Sequence, residues 1–599
     1  MQPEHDAAST VRRILPLLTA AVLVGSLSAV LAPMLRDFST YGFHDWDVET
    51  AYRYITTLSI ERYGELPFWH PFLCGGAPAW GYVEGATNLV SPYLPIYLLF
   101  DVRTAIRIEV VGGALMGLAG AYAFATRFTR SSALAGLLAA LFVLNGRWAL
   151  QAAVGHTWHL QYGLMPWAFF FFERALEPGK LRNAAYAGLC IALLVYWGGI
   201  YPLPHTALLL SGYALLLAAF SKSLRPILVM AIAGPVAILV SGPKLFAVLD
   251  HMRDVPRLIE SKEVIGLSEL LVMLTDPTQR YGSWPVRVPA YNWHEWGIYV
   301  GVGGVAVLAL AVVFAHGKRE YALKILGLLC LLLGFGAFHE NAPWALLHEL
   351  PVFSSQHVPS RFHYPMLLLL GAAFVSMAAR FVDPAIRRRP WIDLALLVPV
   401  ALFSLDLARV SRVPFAQAFW MEAPEEIPER RVFEHKKYPP VQYVRRDWAA
   451  PMLLSMMANT GVIKCYGIDT AFVPGAKALD TKGYPGPAHI EQGEGKAELV
   501  EWSPNRAHVV VTGAKAGALV VYNMNYAPSW RANGEPALDF EGRVAHRLSP
   551  GETEVRFRYL PRVLWWSVPL ALLALAGCFG KREHLERLRA RLQKRKARG

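Results

Sequence analysis

The stretch ILPLLTAAVLVGSLSAVLAPML, residues 14–35, contains no charged side chain. A helix needs roughly twenty consecutive apolar residues to cross a bilayer core, so this run reads as a membrane span. Arg12 and Arg13 stand immediately before it. Basic residues are retained on the cytoplasmic side, which places the N-terminus there. The segment ahead of the run is short and the run carries no small-residue cleavage site, so it is expected to be a retained first helix.

The same alternation continues outward from this stretch. The chain has 599 residues, 54 % hydrophobic and only 17 % charged, where a soluble protein would carry about a quarter charged. Its net charge of +13 does not indicate nucleic acid, because the basic residues are clustered between apolar runs. Clusters fall at 127–130, 174–182, 222–225, 318–324, 380–389 and in the tail from Lys581. With all of them cytoplasmic, about twelve spans assemble. They lie near 14–34, 105–126, 132–149, 161–175, 184–200, 204–221, 226–246, 297–315, 322–338, 363–380, 391–409 and 563–580. Segment 90–100, apolar but short and holding Pro92 and Pro95, is expected to be re-entrant or interfacial. The basic tail suits anionic inner-leaflet lipid.

The opposite face then receives loops 35–104, 247–296 and 339–362 and a soluble region, 410–562. Strand-like text at 507–511, 518–522, 544–548 and 554–559, with Asn533-Gly534 and Pro550-Gly551 turns, predicts a small β-sandwich there. The expected organisation is a membrane domain over 1–409, an extracytoplasmic β-rich domain over 410–562, and a last span with a cytoplasmic tail over 563–599. Of five cysteines, Cys190, Cys330 and Cys578 lie in apolar runs as small buried hydrophobes. Cys74 and Cys465 fall on the outer face, where a disulfide is open to them. No spacing resembles a zinc site.

The first outer loop carries the chemistry. It reads Tyr41-Gly-Phe-His-Asp-Trp-Asp-Val-Glu, and Asp45 and Asp47 follow directly on the first span. A partly desolvated carboxylate there can take a proton from a hydroxyl or ligate a hard metal. Helix capping, with Glu49 and Arg53 paired at i,i+4, is the competing explanation. Glu84 lies further along the same loop. At other outer span ends stand His156 and His159, Lys244, Glu295 beside His294, and His357 with Arg361. Singly each is an ordinary interfacial residue; together they open toward one level. Arg361 could fork onto a phosphate and Lys244 could add a point charge.

Leu66-Pro-Phe-Trp-His-Pro with Gly75-Gly-Ala-Pro resembles the first-loop motif of YfhO-like bacterial membrane proteins, within the GT-C superfamily of glycosyltransferases. Gly155-His, Gly199-Ile-Tyr-Pro-Leu-Pro-His, Val358-Pro-Ser-Arg-Phe and Tyr526-Ala-Pro-Ser-Trp-Arg-Ala-Asn-Gly resemble further landmarks in the same order. Ser529 and His70 depart from the pattern, which usually has glycine and often asparagine there. The resemblance implies a GT-C-like polytopic fold in a bacterial inner membrane and an essential first-loop acid, Asp45 or Asp47. It implies sugar transfer from a polyprenyl-phosphate donor to an envelope glycan, lipid or protein acceptor. In that mechanism Arg361, with Lys244 and His156 or His159, stabilises the departing phosphate. No cofactor is demanded; Mg²⁺ or Mn²⁺, if bound, would fall to Asp45 and Asp47. The rival readings are a lipid or polysaccharide transporter, which would place ionisable residues near the bilayer midplane, and a non-catalytic envelope-glycan assembly protein.

Overall fold

The computed structural model describes residues 2–83, 88–282, 292–445, 451–464 and 474–580, with the side chains of 2–12 left aside. Eight helices among them are long and apolar enough to cross a membrane. They run Arg13–Leu31, Val102–Ala125, Ser132–Ala153, Pro202–Ser221, Arg225–Asp254, Trp293–Phe314, Pro359–Arg388 and Trp391–Ala416. By this measure of length the expected count of about twelve is not confirmed. The other four expected spans form helices of 12, 14, 17 and 16 residues, Leu164–Ala175, Asn183–Tyr196, Lys318–Gly334 and Leu564–Phe579. At 1.5 Å per residue, 12 residues reach only about 18 Å of a core about 30 Å thick. Two of these expected spans run into residues that are not α-helical: 161–163, within the 3-10 turn Thr157–Gly163, and 197–200, in the bend after Tyr196. Segment 90–100 contains a six-residue helix, Leu94–Leu99, ahead of the next span.

The segment Ser132–Ala153, made of helices Ser132–Val143 and Gly146–Ala153, is buried almost throughout and forms the centre of the bundle. The first helix and helices Val102–Ala125, His363–Arg388 and Trp391–Ala416 pack around it. Outward-facing residues such as Val398, Leu402 and Leu405 are more than half exposed, as expected for side chains that meet lipid.

Strands from residue 488 onward build two antiparallel sheets, one of four strands and one of five. All four expected strand segments are present, as Arg506–Thr512, Leu519–Asn525, Arg543–Arg547 and Glu554–Tyr559. Asn533 and Gly534, both with positive φ, join Trp530–Ala532 to Glu535–Pro536 in a two-residue hairpin, the turn that Asn-Gly favours. Val520, Tyr522 and Met524 alternate onto one face of their strand and share a core with Val509, Val555 and Phe557 of the other sheet.

The first loop joins the bundle to the sheets. Trp69 packs on Trp530 and Tyr559 at 5.3 and 4.6 Å between ring centres. Asn505 accepts from the Phe68 and Trp69 amides and donates to Leu66 O. Asn525 donates to Cys74 O and Gly76 O. The Leu66-Pro-Phe-Trp-His-Pro motif is thus engaged in holding the sheet region against the loop. Cys74 is disulfide-bonded; Cys465 lies outside the described residues. Cys190, Cys330 and Cys578 are buried free thiols.

Candidate functional site

Helix Val102–Ala125 fixes the start of the first loop through buried Arg107, which donates to Met34 O, Asp37 O and Thr40 O. Helix Trp46–Tyr63 follows, anchored by Arg53 to Glu49 at 2.7 Å and to Glu109 at 3.0 Å. The Glu49–Arg53 pair is the one expected from the i,i+4 spacing. Residues 154–156 lie directly against the start of this helix, and Asp45 N donates to Val154 O. Gly155, at φ +90°, permits the approach: a Cβ there would stand 2.3 Å from Trp46 N.

Asp45 occupies the N-cap position yet makes no capping hydrogen bond with its side chain. Its two carboxylate oxygens are instead 3.0 Å from His44 Nδ1 and 3.0 Å from His156 Nε2. His44 is held at φ 56°, a left-handed conformation uncommon for histidine and frequent at functional sites. Burial alone would raise the Asp45 carboxyl, but His44 and His156 hold it well below the usual carboxylate range.

This group faces a cavity of about 430 Å³. Asp45, His156, Glu295, His357 and Arg361 all line it, so five of the sequence-derived residues converge. Buried Arg361 forks onto Glu295, Nη2 to Oε1 at 2.6 Å and Nε to Oε2 at 3.3 Å. Its guanidinium also lies 4.6 Å from the Trp158 ring and 4.1 Å from the Tyr201 ring. A polar chain connects the two ends. His156 Nδ1 meets Gln151 Oε1 at 2.8 Å, and Gln151 Nε2 donates to Glu295 Oε2 at 3.2 Å. Burial and the Arg361 charge push His357 down to about 3, which leaves it neutral at pH 7.

Asp47, His159 and Lys244 lie elsewhere. Asp47 is buried and accepts from the Tyr443 hydroxyl at 2.6 Å and the Met452 amide at 2.5 Å, tying the loop helix to the C-terminal region. His159 is enclosed by Trp158, Tyr162 and Tyr364. Lys244 donates to Trp80 O and Tyr82 O, bracing the first loop. Glu84 lies outside the described residues. Sequence reasoning missed His44, Trp158, Tyr201 and Arg257 in the lining. His44 adjoins Asp45 and Trp158 lies between two selected histidines, so both were within reach. Arg257, in an irregular segment, gave no signal.

Burial lifts the Asp47 carboxyl to about 6 against the pull of Tyr443, Met452 and Leu453. Its folded value exceeds its unfolded one. Its contribution to stability is therefore full below about pH 4 and is lost, up to about 3 kcal/mol, as pH rises through about 6. Asp47→Asn should flatten the Tm of the purified protein across that window while leaving membrane insertion intact. A slope equal to the wild type would assign the dependence to other groups.

His44, Asp45 and His156 bring three ligand atoms within 4.8 Å of one another. Two imidazoles and one carboxylate suit Mn²⁺ or Zn²⁺ better than Mg²⁺, which prefers oxygen. Asp47 cannot join this set while it holds Tyr443 and Met452.

No protein-family model matches the chain, the YfhO-like family included, and no curated protein matches it. Among solved structures it is similar to the arabinofuranosyltransferase AftD from mycobacteria, at 14 % identity and a TM-score of 0.43, over 75 % of this chain and 32 % of that one. It is similar to ArnT from Cupriavidus metallidurans bound to undecaprenyl phosphate, at 12 % identity and a TM-score of 0.40, over 66 % and 76 % of the two chains. It is also similar to the archaeal oligosaccharyltransferase AglB from Archaeoglobus fulgidus in complex with an inhibitory peptide and a dolichol-phosphate, at 11 % identity and a TM-score of 0.41, over 69 % and 56 %. The chain thus spans about a third of the length of AftD. Likenesses this distant carry no functional argument.

Proposed function

We propose that this protein is a membrane glycosyltransferase that moves a sugar from a polyprenyl-phosphate carrier to an acceptor hydroxyl on the outer face of the bacterial inner membrane. The observation that carries the reading is the cavity's lining: an ionised Asp45 between two histidines, with Arg257 and with Arg361, the latter paired to Glu295, on the same space. Transfer of a sugar from a phosphate needs both. The acceptor hydroxyl must be oriented and relieved of its proton, and the departing phosphate must be met by positive charge.

Asp45 accepts the hydrogen bond of the incoming hydroxyl. Because its carboxyl is held low, it takes the proton late, as the new glycosidic bond forms and the hydroxyl acidifies. The bond from the anomeric carbon to the phosphate oxygen breaks, and the freed phosphate gathers charge against Arg257 and Arg361. Trp158 and Tyr201 give the sugar an aromatic wall. A divalent ion on His44, Asp45 and His156 would supply Lewis-acid polarisation there.

A transporter would be expected to place such groups near the bilayer midplane; here they gather where loops meet helix ends. The Cys74 disulfide supports an oxidising, extracytoplasmic setting for the loop face. Reporter fusions at Gly534 and Gly599 should therefore report opposite sides of the membrane. Both on one side would overturn this topology. The test of the function itself is sugar transfer by the Asp45 variant, argued in the Discussion.

A further inference from the structure

Gln151, fully buried on helix Gly146–Ala153, holds His156 at two levels. The His156 backbone N–H donates to Gln151 O at 3.1 Å, and its ring Nδ1 lies 2.8 Å from Gln151 Oε1. The Trp158 ring stacks on the imidazole, with 5.3 Å between centres and 25° between planes, which fixes the tilt of the ring. The same contacts decide which ring nitrogen carries the hydrogen.

A glutamine amide can be turned either way, and its partners choose the orientation. The Gln151 nitrogen faces His294 O and Glu295 Oε2. A carbonyl oxygen only accepts, and so does a carboxylate whose two oxygens already receive Arg361. Turned over, the amide would set its own oxygen against both. Oε1 is therefore the atom beside His156, and because it can only accept, His156 Nδ1 is the donor. The other ring nitrogen, Nε2, then faces Asp45 Oδ2 at 3.0 Å. A nitrogen lone pair and a carboxylate oxygen repel unless a positive centre lies between them. A proton meets that need, and so does a divalent ion ligated by both atoms. Histidines that ligate metals commonly donate their second ring N–H to an oxygen, which sets the ring's orientation and raises its basicity.

We propose that Gln151 is a positioning residue, which holds His156 with its hydrogen on Nδ1 so that Nε2, together with Asp45 and His44, ligates a divalent ion. Gln151 is absent from the described residues that line the cavity, so it acts through His156. The inference rests on the set His44, Asp45 and His156 and is separate from the sugar-transfer reading.

The test uses the full-length protein in nanodiscs, stripped with a chelator and titrated with Co²⁺, whose visible absorption reports its ligands. The wild type should bind Co²⁺ saturably, and His156→Ala should lose that absorption. Gln151→Met, similar to glutamine in length but without an accepting oxygen, should weaken the affinity about 10–100-fold, the usual cost of losing such a partner. Gln151→Glu keeps an oxygen toward Nδ1 and should bind close to the wild type. A space-filling role predicts the opposite order, because a second carboxyl beside Glu295 disturbs the packing more than a thioether does. The proposal is overturned by any of four results: no saturable binding in the wild type, retained absorption in His156→Ala, Gln151→Met as tight as the wild type, or Gln151→Glu no tighter than Gln151→Met. Should Gln151→Met fail to accumulate, Gln151→Glu decides alone, and a loss of about ten-fold or more in it overturns the proposal. None of these outcomes bears on sugar transfer, which Asp45→Asn tests separately.

Discussion

Asp45→Asn is expected to insert and accumulate like the wild type yet transfer sugar about 10²–10⁴ times more slowly, the usual contribution of a positioned proton acceptor. The substitution keeps size and removes only the charge and one acceptor. It does not cost the helix its cap: the Asp45 side chain makes no capping bond, and Asn serves well at that position. What is lost is the carboxylate between His44 and His156. Asp47→Asn provides the internal control, because Asp47 faces Tyr443 and Met452 and should leave turnover within a few-fold. Since Asp45 is held well below the usual carboxylate range, its protonation should impose no loss of activity above about pH 5. Near-wild-type turnover by the Asp45 variant in membranes of matched expression would remove the proton acceptor from the mechanism.

Arg361→Leu should be the most destabilising single change in the cavity wall. It leaves buried Glu295 without its partner, and breaking one side of a buried ion pair costs about 3–5 kcal/mol. Removing both partners as Arg361→Leu with Glu295→Leu should cost clearly less than the sum of the two single changes, since no lone charge remains. Arg361→Lys preserves charge but loses the two-point contact with Glu295 and the planar contacts with Trp158 and Tyr201. Its transfer rate should therefore fall at least ten-fold while expression holds. Thermal unfolding of the purified variants reads the first two effects and turnover reads the third. Additive single and double losses would mean that the pair is not coupled. Unchanged turnover in Arg361→Lys would leave Arg361 as a structural partner of Glu295.

Much of this arrangement is legible in the sequence. The unbroken apolar run at 14–35 and the basic clusters indicate a helical membrane domain, and Asn533-Gly534 marks a hairpin of the sheet region. The span count is left unconfirmed where an expected span runs past its helix end: Tyr162 and Ile200 lie in turns, and hydropathy does not distinguish a turn from a helix. The ambiguity between Asp45 and Asp47 has a geometric answer. The helix begins at Trp46, and positions two apart on a helix diverge by about 200°, so the two acids could not serve one cavity. Lys244 follows Pro243 near the loop end of its helix, where composition reads as an outward-facing charge; only the packed first loop shows its ammonium on two carbonyls. The left-handed backbone of His44 and the placement of Arg257 depend on tertiary contacts with no local sequence pattern.

The most direct measurement compares lipid-linked sugars and envelope glycans between a strain lacking this protein and the same strain carrying it. A polyprenyl-phosphate glycosyltransferase predicts that the deletion loses one sugar from an envelope glycan and accumulates the matching polyprenyl-phosphate sugar, with both reversed on restoration. Identical glycans and unchanged carrier-linked sugars in the two strains would contradict it.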